Sequence, residues 1–324
     1  MSERNDRCPN SKLRNSASNS PKSTKKLLLI ASAIGTAAIA ISLSPSKSGP
    51  DSVTAPVSST NNTVHDKEQN NYLSSLELTQ IYKTGIENLR EKAQVADNKR
   101  ILNLLDMYDK SAVWSDEING DTGGKNYEDG LCTIKFLTQD DPAWHVQKPL
   151  LVTAFSADEK NTAIQIKPHD ITDIWASLVF IHELEHVHTR MNDPSAPPDR
   201  INDEIDAYGV EMEAMELVSD GKFYAALDRM IQDYRIQGVD DIVEMLRFDD
   251  VSRFKSFCSV MQKAITKETY KSRGERILIH GLCPIVAGMR LLEINFGNNQ
   301  DRLRGEKAKF LQKIWNQDGM RQFH

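Results

Sequence analysis

Residues 179–190 read Val-Phe-Ile-His-Glu-Leu-Glu-His-Val-His-Thr-Arg, placing His182 and His186 four apart, with Glu183 directly after the first, inside an otherwise apolar run. Four residues are just over one helical turn, so on a helix the two imidazoles share a face. Wrapped at about 100° per residue, Ile171, Trp175, Leu178, Val179, His182 and His186 form one stripe, while Ile174, Phe180, Ile181 and Leu184 occupy the other sides. Apolar on nearly all sides, this helix suits a central, buried position. Asp170 serves as its N-cap, the helix runs from Ile171, and Asp173 in the first turn favours the positive end of the dipole.

Two neutral imidazoles one turn apart can grip a single zinc ion, and a glutamate beside the first can take a proton from water on that metal. The chain has 8 histidines in 324 residues. Composition then predicts the H-E-x-x-H pattern on the order of 0.01 times per chain by chance. On this motif the sequence resembles the zincin metallopeptidases. The metzincin continuation, glycine and then histidine at three-residue steps, is absent, because Thr189 and Asn192 stand there.

The gluzincin branch draws its third ligand from a glutamate on a following helix, and residues 199–215 offer one. Their apolar stripe is Ile201, Ile205, Tyr208, Met212 and Met215; Asp203 and Asp206 face away from it, while Glu204 lies at its edge. Glu204 opens Glu204-Ile-Asp-Ala207, similar to the E-x-x-A form of that ligand helix. Glu211, two turns on, is the rival ligand or an acceptor for a histidine N–H. Gluzincins of the thermolysin type place an aspartate four residues after the ligand; this chain has Tyr208. The resemblance thus implies one zinc ion held by His182, His186 and Glu204, with Glu183 as general base and Tyr208 and His280 as candidate oxyanion donors. It covers the motif and its partner helix, not the whole chain. His188 and Glu185 wrap to the outer side, and His145 and His169 have no ligand spacing. A peptide-deformylase-like alternative would use Cys132 as third ligand, but the glycine-cysteine-leucine order of that family is missing from Asp129-Gly-Leu-Cys-Thr-Ile134.

Working outward, Leu76 to Lys110 has the spacing of two packed helices broken near Ala96-Asp97-Asn98. Between Asn119 and Pro168, Gly and Asp turns separate the β-prone runs 132–137, 150–155 and 162–167. From Asp170 onward the pattern is helical, with stops near Asn192-Asp193-Pro194, Gly221, Gly238, Gly274 and Gly297. The expected class is α+β and predominantly helical: a small zincin-like sheet, the active-site helix, the glutamate-ligand helix and a helical C-terminal part. Zincins align substrate along a sheet edge, and Thr162–Lys167 holds the expected place in the chain, either as an exposed edge that adds substrate as another strand or as a strand satisfied by its own neighbours.

The 39% hydrophobic and 27% charged composition is ordinary for a globular protein. The N-terminal quarter departs from it. Residues 1–26 are a basic leader, 27–43 an uncharged apolar run, 44–73 a polar linker, and 74–324 the catalytic domain. Basic residues before the run and none directly after would keep the leader in the cytoplasm and send the rest outward, as a signal anchor or, cut at Ala38-Ile39-Ala40, a signal peptide. Without residues 1–43, which carry seven positive and two negative charges, the formal net charge goes from −6 to −11. So acidic a surface argues against nucleic acid as a partner. Membrane attachment through 27–43 and a peptide or protein substrate are the partners expected. Of the outward cysteines, Cys258 and Cys283 could pair and leave Cys132 free; three small buried hydrophobes is the competing reading. A non-catalytic, membrane-tethered helical binding protein with a structural or vestigial metal site is the alternative function.

Overall fold

The computed structural model describes residues 31–32, 74–115, 131–138, 140, 151–155, 161–192, 200–247, 251–266 and 273–315. Helix α1 (Ser75–Val95) starts where the polar linker was expected to end: the Ser74 hydroxyl caps the Glu77 N–H, and the Glu77 carboxylate accepts from the Ser74 N–H at 2.8 Å. This reciprocal cap satisfies two N-terminal donors. Helix α2 (Lys99–Ser111) follows the break at Ala96-Asp97-Asn98, with Asn98 capping Ile101.

Five strands, β1 (Ala31–Ser32), β2 (Ala112–Trp114), β3 (Leu131–Phe136), β4 (Leu151–Phe155) and β5 (Asn161–Ile166), form one sheet in the order β1-β4-β5-β3-β2. β2, β3 and β5 run parallel; β4 is antiparallel to β5, and β1 to β4. All three expected strands form, but β5 is not an edge. It pairs with β3 on one side and β4 on the other, so the 162–167 segment has no open ladder for a substrate. A third parallel strand, β2, contributed by Ala112-Val-Trp114 directly after α2, went unread because three residues carry no periodicity. Apart from Ala31–Ser32, the leader, the apolar run and the linker lie outside the described residues, as does His145.

Helices α3 (Asp173–Asn192), α4 (Arg200–Val218), α5 (Phe223–Asp233), α6 (Val239–Arg247), α7 (Val251–Thr266), α8 (Arg273–Phe296) and α9 (Gln300–Trp315) complete the fold. The molecule is thus predominantly helical α+β, as expected. α3 is central: it packs against α1, α2, α4 and β4, and every side chain from Trp175 to Val187 is buried. It begins at Asp173, two residues after the expected start, with the Ala176 N–H on the Thr172 carbonyl. Asp173 accepts from Asn88 Nδ2 at 3.0 Å, which ties this end of α3 to α1. Between α3 and the sheet, Tyr82, Trp114, Phe136 and Phe180 meet with ring centroids 5.9–6.5 Å apart. Such large apolar side chains contribute about 1.5–3 kcal/mol each by burial. Leu278–Phe296 in α8 is long and apolar enough to cross a bilayer, yet 78% of it is buried, against α5, α6, α7 and α9, as in a core helix.

Candidate metal centre

α3 presents His182 and His186 one turn apart, their rings 5.1 Å between centroids and 70° to each other. α4 brings Glu204 against both: its Oε2 lies 3.4 Å from His182 Nε2 and 3.8 Å from His186 Nε2. One ligand atom from each residue lies within 4.8 Å of the others, and all three are buried. A tetrahedral ion with bonds of about 2.0–2.1 Å separates its ligand atoms by roughly 3.4 Å. The Glu204 oxygen already stands at that spacing from His182 Nε2 and within a few tenths of an ångström of it from His186 Nε2, so this group could hold one metal ion. Cys132, on β3, is not part of it.

Glu211 resolves into the other of its two readings. Its Oε2 accepts from His182 Nδ1 at 3.0 Å, which fixes the tautomer and turns the Nε2 lone pair toward Glu204. Burial works against a charged imidazole at His182, but Glu204 and Glu211 together outweigh it and lift the ring to about 10. The same two carboxylates favour a cation at Nε2, whether proton or metal. Glu211 itself is raised above the usual carboxylate range, by burial first, with His182 opposing.

The two helices are cross-braced from behind by Arg100 on α2. Its guanidinium donates to Glu185 on α3 at 3.0 Å, to Glu213 on α4 at 2.9 Å and to the Asp206 carbonyl at 3.0 Å. Glu185 is therefore not the outer-face charge its wrapping suggested; it is buried because an arginine 85 residues away faces it. His188, read as solvent-facing or as supporting the ligands from outside, is 40% exposed with its ring on Asn192 at 2.8 Å, the first of those readings.

Glu183 is fully buried. Tyr208 lies across His182, ring centroids 4.6 Å apart, and so packs that imidazole in place. His280, on α8, is buried and is not one of the three grouped residues: burial, then Arg276 and Lys255, lower it to about 4. His169, after β5, is likewise lowered to about 4 by burial, with Nδ1 on the Lys167 carbonyl.

One residue of this region escaped the sequence reading. Tyr82 on α1 fits an ordinary core stripe, yet its fully buried hydroxyl makes no hydrogen bond among the described residues. Burial, and then the charge of Glu183, push it far above the usual phenol range. No spacing links positions 82 and 183; only the α1–α3 packing does. An orphaned buried donor costs about 1–3 kcal/mol. Tyr82→Phe is accordingly expected to raise the melting temperature of the metal-free protein, by roughly 2–4 °C per kcal/mol recovered, and a fall measured by calorimetry would show that the hydroxyl is satisfied. No protein-family model matches the chain, and neither does any curated protein or solved structure.

Proposed function

We propose that this protein is a zinc-dependent peptidase of gluzincin type. The observation that carries the reading is the buried meeting of His182, His186 and Glu204, with Glu183 adjacent on the same helix. Two neutral nitrogens and one carboxylate suit zinc and leave a fourth position open. When bound there, zinc lowers the pKa of water and polarises a carbonyl oxygen.

The chain's own residues then divide the work. Glu211 holds the His182 tautomer, Tyr208 packs that ring, and Arg100 clamps the two ligand helices. Glu183 accepts the proton of the attacking water and delivers it to the leaving amine. Tyr208 and His280 remain the proposed oxyanion donors. The substrate is a peptide or protein, met outside the cytoplasm, with residues 27–43 as the membrane attachment or export signal. The acidic surface leaves nucleic acid out.

The burial of the ligands and of Glu183, at 5% exposure or less, favours a second reading, a closed structural metal site in a tethered binding protein. Glu183→Gln separates the two. It keeps shape and metal ligands but removes the base, so zinc content stays at one per chain while peptide hydrolysis falls about 10²–10⁴-fold. Hydrolysis that survives the substitution sinks the mechanism; zinc without hydrolysis in the wild type selects the structural site.

A further inference from the structure

Between the C-terminal half of α1, the start of α3 and the end of α4 lies a groove of about 750 Å³. Its apolar lining is Leu89, Val95, Ile174, Leu217 and Val218. Leu89 belongs to the core, the next three are only partly covered by it in the order Ile174, Leu217 and Val218, and Val95 at the rim is 92% exposed. The charged lining is lopsided. Glu91, Asp173, Glu216 and Asp220 stand against a single cation, Lys92, four negative charges to one positive and a net of −3. Lys92 is already engaged, its ammonium on Asp220 at 2.6 Å. Asp173 and Glu216 accept from neutral donors, the Asn88 amide at 3.0 Å and the Tyr224 N–H at 2.9 Å, so their charges are hydrogen-bonded without being neutralised. His182, Glu183, His186 and Glu204 do not line this groove.

We propose that this groove is a docking site for an extended segment of another polypeptide that carries both apolar and cationic side chains. Three features select that occupant. The lining runs along α1 from Gly85 to Ala96, eleven residues or about 16 Å of helix, which matches about five residues of extended chain. The partly covered apolar floor gains by losing water to apolar side chains. An unneutralised net of −3 over low-dielectric walls draws cations and repels anions. Alternating side chains on an extended chain meet both demands, with every second one on the floor and the lysine or arginine stems between them reaching the acidic rim. Anionic lipid and nucleic acid carry the wrong charge for this lining. The inference concerns binding at residues separate from the metal group and does not rest on the peptidase reading.

The test is a calorimetric titration of the full chain with a short end-blocked peptide of alternating lysine and leucine, and with its glutamate and leucine counterpart. Saturable one-to-one binding of the lysine peptide is expected, at least about tenfold tighter than that of the glutamate peptide. It should weaken as salt is raised from about 0.01 M to about 0.15 M, where the screening length falls from about 30 Å to about 8 Å. Glu91→Lys and Val95→Lys combined should weaken it by about tenfold or more, because the first reverses a rim charge and the second replaces an exposed apolar side chain with a cation. Both positions are exposed, so the fold is kept. Leu76→Lys is the control: it lies on α1 at 76% exposure, outside the lining, and adds the same positive charge as Val95→Lys. Equal affinity for the two peptides, binding untouched by the combined variant, or equal weakening by Leu76→Lys would each overturn the proposal. So would a dimer of the wild-type chain that the combined variant dissociates, which would make a second copy the occupant.

Discussion

Glu204→Ala is expected to leave the purified protein without stoichiometric zinc, and Glu211→Ala to leave it with zinc held about 10–100-fold more weakly. The ranking follows from geometry. Glu204 is the only carboxylate of the described residues that stands 3.4 and 3.8 Å from both imidazole Nε2 atoms at once. Glu211 reaches the opposite nitrogen of His182 and acts on the ion only through that ring. Metal analysis after dialysis, followed by competition with a chelator of known affinity, distinguishes the two. Equal losses would mean that both carboxylates are ligands, and a larger loss at Glu211 would reverse the assignment. The metal-free proteins give an independent reading through pH. His182 is raised from 6.5 to about 10 in the folded protein, so the stability it contributes is fully present below about 6.5 and fades as pH rises through about 10. Deleting Glu204 removes one source of that elevation, and the variant's stability should change less across this window than the wild type's.

How far these residues could be read in advance depended on whether their signal was local. His182, Glu183 and His186 are legible because helical pitch alone puts them on neighbouring faces. Glu204 was legible because it stands at the edge of an apolar stripe where the aspartates beside it do not. What failed is what depends on elements far apart in sequence. Glu185 looked exposed because Arg100, which neutralises it, lies in another helix. Glu211 stayed ambiguous until the side of His182 it faces was known. Tyr82 looked like any core tyrosine until α1 was laid against Glu183. Whether the 162–167 strand was an open edge or satisfied by its own neighbours could not be decided, because alternation reveals a strand but not its neighbours. β3 and β4 flank it, which selects the paired reading.

Gly85→Ala is expected to be the most damaging small substitution outside the metal ligands, although alanine is the better helix former by about 1 kcal/mol. Gly85 lies in the middle of α1, where that helix crosses the start of α3. A Cβ there would stand 2.1 Å from the Asp173 carbonyl oxygen, 2.9 Å from its carbon and 3.2 Å from Ser177 Cβ. The first two are backbone atoms at the start of α3, the helix of His182 and His186, and cannot rotate aside, so α1 must lift off α3. Overpacking of this kind costs typically about 1–3 kcal/mol, occasionally more, and with backbone as the obstacle we place the net loss near the upper end after the propensity gain. The lift would also strain the Asn88–Asp173 hydrogen bond and draw Tyr82 away from Phe180 and Glu183. Melting temperature should therefore fall by roughly 4–12 °C, with zinc retention falling alongside it. Gly305→Ala is the control, because on α9 nothing lies within 4 Å of the added Cβ and helix propensity acts alone, with a gain of about 1 kcal/mol. Should Gly85→Ala melt as high as that control, the close α1–α3 crossing would be refuted, and the placement of Tyr82 beside Glu183 would lose its support.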